Sequence, residues 1–266
     1  LSAGATAARR SAAPSRGSGV ALWCVDLVAA GGALASIEKR TPRLAADDLA
    51  RAASIADTTI AAERIAAYTA LRILIERAAS PRWRGVAFDR TPHGKPYLDG
   101  APLRFSLSHA PGVALLALAP ADPVGADIER ARKLRMEPSR RALVEAAGEA
   151  LAPNVGLPAD PEARALQAWV RIEAFAKARG RGVGRVLTEL GIMGASSLRQ
   201  ATPETVAARA RDLLAIEPAI EVGDAACGSG LYAAVAAAPG AAEAPVHWLP
   251  GDVAGIEALL AREGAA

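Results

Sequence analysis

Apolar positions along the chain fall into short unbroken runs, alternating runs and helical stripes. Val20 to Leu27 is apolar except for Asp26, with the length and composition of a core strand. A helix with Asp47 and Asp48 near its start is expected next, then a longer one from Thr58 to Ala79. In the longer helix Ile60, Arg64, Ala67, Leu71, Leu74 and Ile75 keep helical spacing, and Pro81 stops the run. Arg90 to Tyr97 sets Lys95 among the turn formers Pro92, Gly94 and Pro96 and reads as a loop. Leu103 to Ser108 alternates, Gly112 to Ala119 is apolar enough for a central strand, and Val124 to Glu129 predicts a third strand beside them. A helix over Pro138 to Ala150, a Pro/Gly-rich connection from Pro153 to Pro161 and a helix carrying Trp169 follow, with strands near Ala219 to Val222 and Leu231 to Ala236. This order predicts an α+β fold of two similar α/β halves: a leader over 1–18, an N-terminal half over 19–122 and a C-terminal half over 123–266.

Residues 1–18 are rich in Ala, Ser, Gly and Arg without periodicity, which predicts a flexible leader. Arg9 and Arg10 ahead of the apolar run Val20 to Val25 and an Ala-rich stretch ending near Ala35 faintly imitate a secretion signal, but Asp26 breaks that region at its centre and a first core strand explains Val20 to Leu27 equally well. No window approaches the roughly eighteen continuous apolar residues of a membrane span. Cys24 and Cys227 lie far apart in sequence and outside any C-x-x-C, so neither a zinc site nor a disulfide framework is suggested. A soluble protein in a reducing cytoplasm is the expectation.

The net charge of +3 equals the three leader arginines Arg9, Arg10 and Arg16. Beyond them the charge is uneven: twelve Lys/Arg face six Asp/Glu between Arg130 and Arg185, whereas eight acids face Arg262 alone from Asp212 onward. A basic middle suits a small polyanion or an acidic partner. With three Phe and three Tyr in the chain there is no aromatic-rich basic stripe for stacking bases, so no nucleic-acid partner is expected.

The chemistry is concentrated in Gly125-Ala126-Asp127-Ile128-Glu129 and in Trp169 to Lys177. On a strand Asp127 and Glu129 share a face while Ile128 turns to the core. On a helix Glu173 and Lys177 lie one turn apart, with Trp169 one turn before. Three carboxylates and an ammonium in one volume suit a hard divalent cation and a phosphate. Each piece alone has a plainer reading: solvated acids at a strand end, a surface i,i+4 bridge, a capping His109, a loop Lys95.

Taken in order, Gly94-Lys95-Pro96, Phe105-Ser106-Leu107-Ser108-His109, Gly125-x-Asp127-x-Glu129 and Trp169-x-x-x-Glu173-Ala174-x-x-Lys177 resemble the Sfp-type 4′-phosphopantetheinyl transferases over Val20 to Val186. The resemblance implies two halves in pseudo-twofold arrangement with the active site between them, and a chain that works as a monomer. It implies Mg²⁺ held by Asp127, Glu129 and Glu173 against the pyrophosphate of coenzyme A, and Lys177 on a phosphate oxygen. Lys95, Ser108 and His109 would hold the 3′-phosphate and adenosine side, joined by Arg64, with Arg72 behind it. The implied reaction moves the phosphopantetheine arm of coenzyme A to a serine of an acyl or peptidyl carrier protein. Glu173 and Lys177 would be catalytic, with Glu173 left as base or as metal ligand. Carrier proteins are acidic around that serine, so Arg132, Lys133 and Arg135 make a candidate docking face.

Two positions depart from the family. The lysine that precedes the helix glutamate is Ile172, its contact being absent or supplied by Arg171, and the asparagine of the F-N-x-S-H stretch is Ser106. Ile172 keeps open an alternative, a degenerate protein of the same fold that binds coenzyme A or a carrier protein without transfer. Other classes are weaker. There is no G-x-S-x-G elbow for a hydrolase, no G-x-x-x-x-G-K-[ST] for a P-loop NTPase, and Gly180-Arg181-Gly182-Val183-Gly184 follows a helix where a dinucleotide fingerprint must follow a strand. That glycine run is read as helix C-cap and loop.

Overall fold

The computed structural model describes residues 19–121, 123–194, 201–240 and 243–261; the leader expected over 1–18 lies outside them. Strand β1 (Ala21–Asp26) is buried along its middle and ends at Asp26. The Asp26 carboxylate accepts from the backbone N–H groups of Val28 and Ala29 at 3.0 and 2.9 Å and so starts helix α1 (Leu27–Arg40). The sequence reading had no helix there. Its buried stripe is Leu27, Ala30, Leu34 and Ile37, and the alanines and glycines between them blur the periodicity.

Helices α2 (Ala46–Ala53) and α3 (Thr58–Ala78) follow, with Asp57 capping α3 through Thr59 and Ile60. The α3 residues from Ala66 to Ile75 are buried on every side, while Ile60 stays half exposed. The turn segment around Lys95 is a two-strand hairpin, β2 (Asp89–Arg90) and β3 (Pro96–Tyr97). Then come β4 (Arg104–Ala110), β5 (Val113–Ala119), β6 (Val124–Arg130), α4 (Pro138–Leu151) and α5 (Pro161–Ala178). The chain continues through α6 (Val183–Leu190), α7 (Pro203–Ala215), β7 (Glu221–Asp224), β8 (Leu231–Ala237), β9 (Val246–Trp248) and α8 (Val253–Ala261).

The fold is mixed α+β with several sheets. One sheet has the order β4-β5-β1-β9 and another the order β6-β8-β7. Strand alternation sorts the core into layers. Trp23 and Val25 of β1, with Leu116 and Leu118 of β5, face the α1 and α3 helices. Leu22, Cys24, Leu115 and Ala117 face the other way and meet Ala126, Ile128 and Val235 of the second sheet. The opposite side of β8, through Ala234 and Ala236, packs on α4 and α5. Two sheets therefore lie face to face with helices outside both.

The last described strand returns to the first. β9 pairs parallel with β1, Val246 opposite Leu22, and Leu249, Ile256 and Leu259 join the core of α1 and α3. We propose the division near residue 122 as one between the sheets only as far as Ala237, because the last strand and helix cross back to the first sheet. Cys24 and Cys227, remote in sequence, meet between the sheets as free thiols. Hydrogen bonding with Cys227, together with burial, holds Cys24 far above the ordinary thiol range, so it stays protonated.

Candidate functional site

The site grows from the seam where β4 and β6, edge strands of different sheets, lie against each other without a shared ladder. Side chains stitch the seam. Ala126 N–H donates to Ser106 Oγ at 3.0 Å, and Ser108 Oγ donates to Asp127 Oδ1 at 2.6 Å. Lys95 Nζ reaches from the hairpin to the carbonyl of Val124 at 2.8 Å.

On its other side β6 meets α5, and Gly125 fixes how closely. A Cβ on Gly125 would run into the Ala174 carbonyl oxygen and the backbone of Ala178. The glycine of the G-x-D-x-E run thus serves close backbone approach rather than a turn. Replacing Gly125 with Ala is expected to lower stability by about 1–3 kcal/mol, the usual range for overpacking, because backbone cannot step aside. Urea unfolding checks this; an unchanged midpoint would remove Gly125 from the role.

That approach brings α5 side chains onto the strand acids. Lys177 Nζ donates to Asp127 Oδ1 at 2.6 Å and to the Ala126 carbonyl at 3.2 Å. Asp127 is 6% exposed, and burial pushes its carboxyl up while Lys177 and Ser108 pull it back. Glu173 is pushed up to about 7, first by burial and then by the negative charge of Asp127; Lys177 opposes and Glu129 adds to the push. Glu129 itself is held by Arg132, at 2.8 and 3.1 Å. Ile128 is buried with the core, as alternation requires.

Lys95, Ser106, Glu173, Lys177, Arg181 and Gly182 are among the residues lining a cleft of about 270 Å³. Lys95, Glu173 and Lys177 were expected together and are. Ser108 and Asp127 join them through the hydrogen bonds just given, and Glu129 through its charge. Arg64 and His109 do not line this cleft. They form a neighbouring group in which Arg64 lies 5.4 Å from the Tyr68 ring centroid. Burial, then Arg64, pushes the His109 imidazole down, with Lys177 adding to this and Glu63 opposing.

Three expectations are corrected. Arg72 is no reserve for Arg64, since it is buried in an ion pair with Asp48 at 2.7 Å and lies 3.6 Å from the Phe88 ring centroid. Arg171 cannot stand in for the missing lysine. Its side chain is fully buried and grips Asp224 at 2.7 and 2.8 Å, with Gln167 donating to the same carboxylate at 2.7 Å. Ile172 is completely buried in the apolar layer beneath α5, where a lysine would lose its hydration. Third, the run read as cap and loop is shorter: Gly180, at φ 62°, follows the end of α5, and α6 begins at Val183.

Sequence reasoning missed Ser106 and Arg181 as members of the cleft. Ser106 stood out only as a departure from the family asparagine, and Arg181 lay inside the glycine run. For the expected metal, no three carboxylates, histidines or cysteines among the described residues are grouped closely enough to hold an ion as they stand. Lys177 and Arg132 neutralise two members of the set instead. The donors nevertheless fit a hard cation in kind: all are carboxylates, and such an ion would relieve the repulsion that adds to burial in raising Glu173. No helix among the described residues is long and apolar enough to cross a membrane.

No family profile matches the chain. Over 126 residues it is 33% identical to the 4′-phosphopantetheinyl transferase AcpT of Salmonella typhimurium. The match takes in 47% of this chain and 64% of that protein, so the chain spans less than two thirds of the relative's length. This likeness supports the family to which the motifs point.

Proposed function

We propose that the chain, similar along that stretch to a 4′-phosphopantetheinyl transferase, is itself one: it moves the phosphopantetheine arm of coenzyme A to a carrier-protein serine and releases adenosine 3′,5′-bisphosphate. The observation that carries this reading is the convergence of Asp127, Glu173, Lys177 and Lys95 at the crossing of β6 and α5. Three motifs scattered along the sequence supply these four residues, with Asp127 joined to the cleft through Lys177.

In the proposed reaction the serine oxygen bonds to the pantetheine-side phosphorus, the P–O–P bridge breaks, and the bridging oxygen leaves with adenosine 3′,5′-bisphosphate. The serine proton needs an acceptor, and Glu173 is suited to it because its carboxyl titrates near pH 7. Lys177 supplies positive charge to the phosphate oxygens from a position fixed by Asp127 and the Ala126 carbonyl. Ser108 holds Asp127 in place, and Lys95 holds the hairpin on β6. Asp127, Glu129 and Glu173 would hold Mg²⁺, which when bound supplies charge neutralisation on the pyrophosphate. Arg64 and the His109 beside it are proposed for the adenosine side, with Lys95 and Ser108.

An acidic carrier protein fits the exposed Lys133 and Arg135, with Arg132 shared with Glu129. A monomer in the cytoplasm is part of the same proposal. The test is intact-mass spectrometry of an apo carrier protein incubated with this protein, coenzyme A and Mg²⁺. A gain of about 340 Da, the mass of the phosphopantetheinyl arm, is expected and should vanish with EDTA. No gain on several carriers, with coenzyme A still bound, would instead support the degenerate binder.

A further inference from the structure

We propose that Arg181, on the cleft wall with Lys95 and Lys177, binds a phosphate of coenzyme A; this rests on the transferase reading above. Neither position 172 nor its neighbour brings a charge to the cleft. Ile172 has no exposed surface, and Arg171 is fully buried on Asp224. The cleft wall nevertheless carries a third cation beside Lys95 and Lys177, and it is Arg181.

Arg181 differs from the arginines around it. Arg179 is 2% exposed and fixed by Glu189 at 2.5 Å and Glu217 at 3.2 Å, so it is committed to the fold. Arg185 is exposed but does not line the cleft. Arg181 lines the cleft with its side chain 44% exposed, and its ion pair with Glu189 is long at 3.4 Å. If Arg181 lets go, Glu189 keeps Arg179 and Arg185. An exposed pair of that length contributes little stability, so its release opposes ligand binding little. A guanidinium is also the cation best shaped to grip phosphate through two donors.

Calorimetric titration of coenzyme A, with Mg²⁺, into the parent protein, Arg181→Gln, Arg181→Lys and Arg185→Gln tests this. Arg181→Gln should weaken binding about tenfold or more, as expected for loss of a charge-assisted pair. Arg181→Lys should lose less, and Arg185→Gln should stay within about twofold of the parent, as a charge off the contact surface does. Repeating the series with dephospho-coenzyme A assigns the phosphate: the Arg181→Gln penalty disappears if the contact is to the 3′-phosphate and persists if it is to the pyrophosphate. Arg181→Gln binding like the parent, or Arg185→Gln losing as much as Arg181→Gln, would overturn the proposal. A parent protein that binds no coenzyme A would sink the transferase reading itself, and the role of Arg181 with it.

Discussion

Glu173→Gln is expected to slow transfer about a hundredfold or more while making the metal-free protein more heat-stable at pH 8. The two effects share one cause. The Glu173 carboxyl is pushed from 4.5 to about 7 by burial and by Asp127. Between those values the folded protein holds a proton that the unfolded chain has released. The stability from that proton is complete below pH 4.5 and is lost as pH rises through 7. An amide is neutral throughout and loses nothing. The variant should therefore gain up to about 3 kcal/mol at pH 8, from a shift worth about 1.4 kcal/mol per pH unit, and less as pH falls. Melting curves in EDTA at pH 5 and pH 8, set beside rates with Mg²⁺, check both halves. Equal pH dependence in the two proteins would show that Glu173 is not strained by its neighbours, and an unchanged rate would take it out of the chemistry.

Asp48→Ala should cost about 3–5 kcal/mol, the penalty for stranding one member of a buried ion pair. The side chains of Arg72 and Asp48 are 1% and 3% exposed and meet at 2.7 Å. Burial pushes the Arg72 guanidinium down, with Asp48 opposing, and its Nε finds no acceptor among the described residues. Asp48 also accepts from Ala45 N–H at 3.2 Å, so the start of α2 loosens with it. Adding Arg72→Met to Asp48→Ala should recover much of the loss, because the uncompensated charge goes. Urea midpoints of the single and double variants measure the difference. A single-variant loss under about 1 kcal/mol would place the pair with weak surface bridges.

The sequence spoke most clearly where burial imposes a simple period. β1, β4, β5 and β6 were legible because β5 is apolar throughout and β6 alternates, with Ala126 and Ile128 toward the other sheet and Asp127 and Glu129 on the opposite face. α3 and α5 were legible from their stripes and from Pro81 and Pro161. α1 was not, since alanine and glycine occupy positions where a polar side chain would mark the outer face. α6 hid among Gly180, Gly182 and Gly184, and α7 and α8 have short apolar faces. β9 has three residues, and what makes it a strand is β1, more than two hundred positions earlier.

The candidate site shows the same division. Asp127, Glu129, Glu173 and Lys177 followed from strand and helix periods. The choice between Arg64 and Arg72 did not. They are eight residues apart on one helix, and what separates them is Asp48, a partner from another element. Ile172 likewise read as a lost substrate contact, whereas packing makes it a core residue.

The return of β9 to β1 has a consequence for synthesis. β1 and β5 exist as soon as residue 119 has emerged, but the other edge of β1, along Leu22, Trp23 and Cys24, has no partner until residues 246–248 follow. At about 5–20 residues per second that interval is on the order of ten seconds, during which a nascent chain carries an open apolar strand edge. The sheet of β1 and β5 is completed only long after it is begun, so its safe passage depends on how quickly residues 246–248 arrive.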